Sequence, residues 1–236
     1  MKLRLALVCC FGFTASTFPT VAQSGTATGL LTLRLEQKAD DTTKTVPQNS
    51  VFKTGNILRF RLTSQIQGYL YIVDKGTTGE TTTLFPALDT PDTNKRIEPG
   101  QSMVVPVSDD GWFEVSGPSG FDTIYILVSA DPIALPPAEK SQGSATTSPR
   151  KEEPLPSNLL PRCNDEIFRA RGECIDMSAG VAPLEPNAPV PRELIPLAKT
   201  AARDIILADD AGVVTVKAAP DARLPLIYTF RLAHLQ

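Results

Sequence analysis

The stretch that decides the fold runs Gly68-Tyr-Leu-Tyr-Ile-Val-Asp74, Lys75-Gly-Thr-Thr-Gly79, Glu80-Thr-Thr-Thr-Leu-Phe-Pro86. Its first arm carries apolar side chains at consecutive positions, whereas a strand with one solvated face alternates. The Gly76–Gly79 connection supplies two glycines able to take positive φ, as a tight hairpin turn requires. The stretch therefore reads as a β-hairpin whose first strand lies in the middle of a sheet.

The flanking sequence supplies further strands. Gly29–Gln37 alternates Leu31, Leu33 and Leu35 with Thr32, Arg34 and Glu36, the pattern of a half-buried strand. Polar Lys38–Pro47 reads as a loop, and Thr54-Gly55-Asn56 as a turn. Ile57–Thr63 sets Leu58, Phe60 and Leu62 against Arg59, Arg61 and Thr63. After the loop Ala87–Gly100, Gln101–Val107 reads as a strand that Pro106 marks as an edge. Trp112–Val115 is a short strand. Asp122–Ser129 (Ile124, Ile126 and Val128 against Tyr125 and Leu127) is a second strand apolar on both faces. Repeated strands separated by turn signals indicate a sandwich or barrel.

Between Pro132 and Pro196 lie 12 of the 21 prolines. Pro136–Leu155 has almost no large apolar side chains, too little to offset ordering entropy, and reads as a flexible linker. Asn164, Asp165 and Glu166 suit the start of a short helix, with Gly172 as its stop. Pro191–Ile205 places Leu194, Leu197, Ala198, Ala201, Ala202 and Ile205 on one stripe and predicts an amphipathic helix. Two strands follow the Asp209–Gly212 turn, Val213–Ala219 and Pro225–Leu235. A lone hairpin is unstable in water, so they are expected to rejoin the N-terminal sheet.

The expected architecture is all-β, an Ig-like, Greek-key β-sandwich of about nine strands, with a Pro-rich, partly helical insertion before the last two. Its parts are a signal peptide at 1–22, a main sandwich at 23–131, the insertion at 132–204 and a C-terminal hairpin at 205–236.

Composition narrows the function classes. The 236 residues are 42% hydrophobic and 21% charged with net charge -3, which leaves no electrostatic footprint for nucleic acid or an anionic membrane. Met1-Lys-Leu-Arg4, the apolar run Leu5–Phe13 and Thr20-Val21-Ala22 predict an export signal cleaved after Ala22, and the run is too short for a membrane span. Cys9 and Cys10 would leave with it. Cys163 and Cys174 then remain as an expected disulfide in an oxidising compartment, periplasmic or extracellular.

No catalytic constellation is legible. The one histidine, His234, lies two residues from the C-terminus, a poor place for a general base, and reads as an ordinary strand residue. Ser119 in Gly-Pro-Ser-Gly reads as a turn residue, since a nucleophile elbow leads from a strand into a helix. Asp40-Asp41, Asp109-Asp110 and Asp209-Asp210 fit turns better than acid–base pairs. Asp89, Asp92 and Asn94 offer oxygens, but their spacing does not fit a calcium loop of the EF-hand type. No phosphate-cradling glycine loop occurs, so no nucleotide cofactor is expected, and no other cofactor or metal is expected either. Trp112, Tyr71, Asp92 and Asn94 are the candidate ligand contacts. Tyr69, Tyr71, Trp112 and Tyr125 form a possible stacking set for sugars or peptides, with core packing as the alternative.

Gly68-Tyr-Leu-Tyr71, Leu84-Phe-Pro86, Asn94, Ile97, Gly100, Pro106, and Gly117-Pro-Ser-Gly120 with Ile124 occur in an order that resembles the bacterial domain-of-unknown-function family DUF4384. The resemblance covers residues 52–130, and Phe230–His234 looks like the end of some relatives. It implies an extracytoplasmic β domain, sometimes attached to peptidase, kinase or other envelope modules, and offers no catalytic residues to carry over. The expectation is a non-catalytic exported binding or scaffolding module of the cell envelope with a protein or glycan partner. An extracytoplasmic hydrolase of glycans or peptides, or a carbohydrate-binding module, is the alternative. Carboxylates sharing one cleft would favour the hydrolase, and coplanar exposed aromatics the carbohydrate binder.

Overall fold

A computed structural model describes residues 28–87, 90, 95–107, 111–135, 160–163, 174–202, 204–218 and 222–236. The export signal, the Pro136–Leu155 linker, the helix expected after Asn164, and Asp89, Asp92 and Asn94 lie outside them.

The described strands form two sheets. The first runs β12 (Ile205–Asp210), β13 (Val213–Ala218), β1 (Thr28–Ala39), β4 (Ile57–Ser64), β8 (Ser102–Val105). One edge of β1 is shared end to end by β13, opposite Thr28–Arg34, and β2 (Thr42–Val46), opposite Leu35–Ala39. The far edge of β4 is shared by β8 and β9 (Phe113–Glu114). The second sheet runs β11 (Gly180–Pro183), β14 (Leu226–Leu235), β10 (Gly120–Ser129), β5 (Gly68–Lys75), β6 (Thr81–Phe85). There β3 (Val51–Lys53) follows β11 along β14, and β7 (Arg96–Ile97) shares β5 with β6. Every ladder is antiparallel except β14–β3.

The period-2 pattern explains how the sheets stack. Leu31, Leu33, Leu35, Leu58, Phe60 and Leu62 of the first sheet face Leu70, Ile72, Ile124, Ile126, Tyr228 and Phe230 of the second in one buried cluster. Phe60 meets Phe230 edge-on at 5.8 Å between centroids. Each such side chain contributes about 1.5–3 kcal/mol by leaving water.

The outer face of the second sheet is apolar as well. Tyr71, Val73, Tyr125, Leu127 and Ile227 pack there with Leu194, under Ile133, Leu135, Leu184, Val190 and Leu197. The Pro-rich segment thus supplies a third layer, and this is why β5 and β10 are apolar on both sides. Two phenols bind it to the sheet: the Ile133 amide donates to Tyr71 Oη at 2.7 Å, and Tyr125 Oη donates to the Pro189 carbonyl at 3.0 Å. A Cys163–Cys174 disulfide closes the same segment. Beside it, burial pushes the Asp176 carboxyl up, but hydrogen bonds from Ser178 and the Arg162 amide, with the Arg231 charge, hold it below the usual range. Backbone bonds from Val51 to Cys174 and from Asp176 to Asn49 fasten this corner to the strands.

Four expectations need correction. Lys38–Pro47 is a hairpin arm, because Asp40 accepts a positive φ of 51° and the threonines that follow pair with β1. The Pro191–Ile205 helix shrinks to a 3-10 turn at Arg192–Leu194 and a six-residue helix α1 (Ile195–Thr200). Ala201 turns extended, the Ala202 amide bonds the Pro225 carbonyl, and Ile205 opens β12 opposite Ala218. A free partner edge on β13 outweighs helical periodicity there. The C-terminal strands do not form a hairpin with each other: β13 joins the first sheet and β14 the second. Among the described residues there are fourteen strands where about nine were expected. The extra ones are mostly short segments that share an edge.

Candidate functional site

Along the inner face of the second sheet, three strands keep register. Leu70, Val128 and Leu226 stand side by side, followed by Ile72, Ile126 and Tyr228, then Asp74, Ile124 and Phe230. The next rung holds Asp122 beside Leu232, and the last Gly120 beside His234. The face that begins as pure hydrocarbon therefore ends in two carboxyls and an imidazole. Alternation alone places them there, since each lies an even number of residues from a core position on its own strand.

The β5–β6 turn closes over this end. Gly79 takes a φ of 91°, and Gly76 and Glu80 pair through the backbone. The turn delivers Thr77, whose amide and hydroxyl both donate to Asp122 Oδ1 at 2.7 and 3.0 Å. His234 Nε2 lies 3.3 Å from both Asp122 Oδ1 and Thr77 Oγ1. Gly120 makes room for the turn, because a Cβ there would collide with the Thr77 side chain.

His234 is not on a fraying end. It is 1% exposed, and β14 is held between Gly120 and Phe52. Thr54 donates to the Leu235 carbonyl, and the Gln236 amide to Ser119 Oγ, both at 2.9 Å.

Two buried polar atoms here have no partner among the described residues, Asp74 Oδ1 and His234 Nδ1. Burial, followed by the charges of Asp122 and Glu80, pushes the Asp74 carboxyl up to about 8. Asp74 therefore holds its proton at neutral pH.

These groups wall a cavity of about 300 Å³, at the small end of ligand pockets. Asp74, Thr77, Glu80, Thr82, Asp122 and His234 line it from the second sheet and its turn. Leu58, Phe60, Phe113, Glu114 and Ser116 line it from the first. Among the described residues, no group of three or more His, Cys, Asp or Glu is arranged to hold a metal ion.

The strands around this cavity coincide with a family match. Residues 51–132 match the family described as Domain of unknown function (DUF4384). No curated protein and no solved structure matches the chain. The DUF4384 segment carries β3–β10 and supplies Asp74, Thr77, Glu80, Glu114 and Asp122. Its sandwich and its cavity are completed from outside: β1 and β13 extend the first sheet, and β14 brings Leu232 and His234.

The residues singled out from sequence are dispersed. Tyr71 is 1% exposed beneath the Pro-rich layer, so it presents no surface to a ligand. Tyr125 is buried in the same layer. Trp112 is half-buried just before β9, outside the strand expected to begin with it, with the Arg59 guanidinium 4.2 Å from its ring centroid. Arg59 is itself bonded to Glu36, whose carboxyl burial raises but the hydrogen bonds of Arg61 and Arg59 hold below the usual range. The described aromatics thus form no common platform. Of the acid pairs, Asp40-Asp41 and Asp209-Asp210 sit at hairpin turns. At the latter Ala211 and Gly212 both take positive φ, and Asp209 Oδ1 accepts from the Gly212 amide, the chemistry of a type I′ turn. Asp74, Glu80, Glu114 and Asp122 were missed. Asp74 alone carried a signal: an acid at a core-facing position of a strand otherwise apolar there.

Proposed function

We propose that the protein is a non-catalytic, exported module of the bacterial cell envelope that binds its ligand in the cleft at the polar end of the sandwich. The observation that carries this reading is the cleft lining, where two buried polar atoms without a partner among the described residues stand beside an apolar wall. The cleft sets polar side chains on one wall against Leu58, Phe60 and Phe113 on the other, and placed polar groups beside apolar surface are what orient a ligand. The order of groups around His234, among the described residues, supports the non-catalytic part. In a hydrolytic triad the imidazole uses one nitrogen for the nucleophile and the other for the acid. Here Thr77 Oγ1 and Asp122 Oδ1 both face Nε2, while Nδ1 has no partner among the described residues. Export is supported by the signal-like N-terminus and by the Cys163–Cys174 disulfide.

An extracytoplasmic hydrolase is the second reading, favoured by one observation. Asp74 keeps its proton beside Asp122 and Glu80, and glycoside hydrolysis uses carboxyls whose environments drive their pKa values apart. One experiment separates the two. A panel of envelope glycans and peptides is screened for binding and for turnover, with wild type and with Ser116→Trp, which fills the cleft mouth. Binding without turnover, lost in the variant, is the expected result. Turnover lost in Asp74→Asn would replace the binding reading with the hydrolytic one.

A further inference from the structure

We infer that the cleft takes a cationic amine or guanidinium carried on an apolar arm, the chemistry of a lysine or arginine side chain presented by a peptide. The inference rests on the cleft being a binding site and names what enters it.

Three independent features converge. The first is size: about 300 Å³ accommodates one long side chain rather than an oligosaccharide. The second is charge. Asp74, Glu80, Glu114 and Asp122 line the cavity, and among its described lining residues there is no Lys or Arg. On β4, Arg59 pairs with Glu36 and lies over Trp112, and Arg61 pairs with Glu36. The third is the pair of orphans. In the neutral ring, an Nε2–H directed at Asp122 leaves Nδ1 as a lone pair, an acceptor. Asp74 Oδ1 is likewise without a partner among the described residues and becomes an acceptor when its carboxyl ionises. In that state both atoms take a donor, and an ammonium brings three while a guanidinium brings five. Leu58, Phe60, Phe113 and Leu84 offer the methylene arm an apolar wall, as long basic side chains require.

A cation in this position also changes the proton balance. Asp74 faces Asp122 from β10, Glu80 from the β5–β6 turn, Glu114 from β9 and His234 from β14. Without a cation, burial and its acidic neighbours keep it protonated. An ammonium favours the ionised form, so binding releases a proton from Asp74 and tightens as pH rises toward 8.

Calorimetric titration of the intact mature protein tests this with Nα-acetyl-lysine amide, the uncharged Nα-acetyl-norleucine amide, and N-acetylglucosamine. The lysine probe is expected to bind at least about tenfold more tightly than norleucine, and about tenfold more tightly at pH 8 than at pH 6.5. The observed heat should depend on the buffer's ionisation enthalpy, reporting proton release. Glu114→Gln, which leaves the Asp122–Thr77 contacts intact, should weaken lysine binding at every pH. Asp74→Asn should abolish the proton release. Equal binding of lysine and norleucine amides, or a flat pH profile, overturns the inference. Binding of the sugar but not of lysine, lost in Ser116→Trp, overturns it while leaving the binding-module reading standing. Loss of every probe and every panel ligand overturns both.

Discussion

The two ends of one sheet face make the instructive comparison. On the inner face of the second sheet, Leu70, Val128 and Leu226 close one end of the sandwich with hydrocarbon alone. The other end, on the same three strands and in the same register, carries Asp74, Asp122 and His234. What differs is the supply of partners. At the polar end the Thr77 turn reaches Asp122 with two donors, and the cleft admits further ones. In mid-face Tyr228 marks the boundary: its hydroxyl is buried with no partner among the described residues, and burial pushes the phenol's ionisation up. A buried polar group is tolerated in a sandwich where a turn or an opening can satisfy it, and opposed elsewhere.

The strongest way to break the comparison is to move the chemistry. Ile72→Asp puts a carboxyl two residues inward from Asp74, at a site that is fully buried. No turn reaches it, and the expected loss exceeds about 4 kcal/mol, measured by denaturant unfolding. A loss below about 1 kcal/mol would show that the mid-face is as permissive as the end.

Asp74 gives the next effect. Its native carboxyl holds a proton up to about 8, whereas the unfolded chain releases it near pH 4. Between those values the native state binds more protons, so stability falls as pH rises and levels off above pH 8. Asp74→Asn should flatten that slope and raise stability at pH 8 by about 1–3 kcal/mol. Stability that is unchanged by the substitution between pH 5 and 8 would contradict the buried, repelled carboxyl.

The smallest effect sharpens the role of the turn. Gly120→Ala brings a Cβ against the Thr77 side chain, which must rotate and release Asp122. The expected destabilisation is about 1–2 kcal/mol, with Thr77→Ala giving little further loss in the same background. Additive losses would mean that Gly120 does not act through Thr77.

Much of the sandwich is legible from residue order. Alternation in β1, β4 and β14 and the two-sided apolar runs of β5 and β10 can be read directly, as can the glycine turns. The cysteine pair likewise reads as a disulfide. The site is another matter. Aromatics drew attention as possible stacking surfaces, yet Tyr71 and Tyr125 serve the layer beneath the Pro-rich segment. Asp74 and His234 are 160 residues apart, and nothing local to either announces the other.

Sequence by itself therefore determined the strands, their inward faces and the need for a cover over β5 and β10, because side-chain alternation is a local property of extended chain. Only tertiary structure decided that β13 and β14 part to opposite sheets, that Ile205 joins an edge rather than a helix, and that a C-terminal histidine meets Asp122 inside a closed turn. Those outcomes depend on which strand edges remain open after the rest has paired. Edge pairing joins residues far apart in the chain, so no window of sequence contains it.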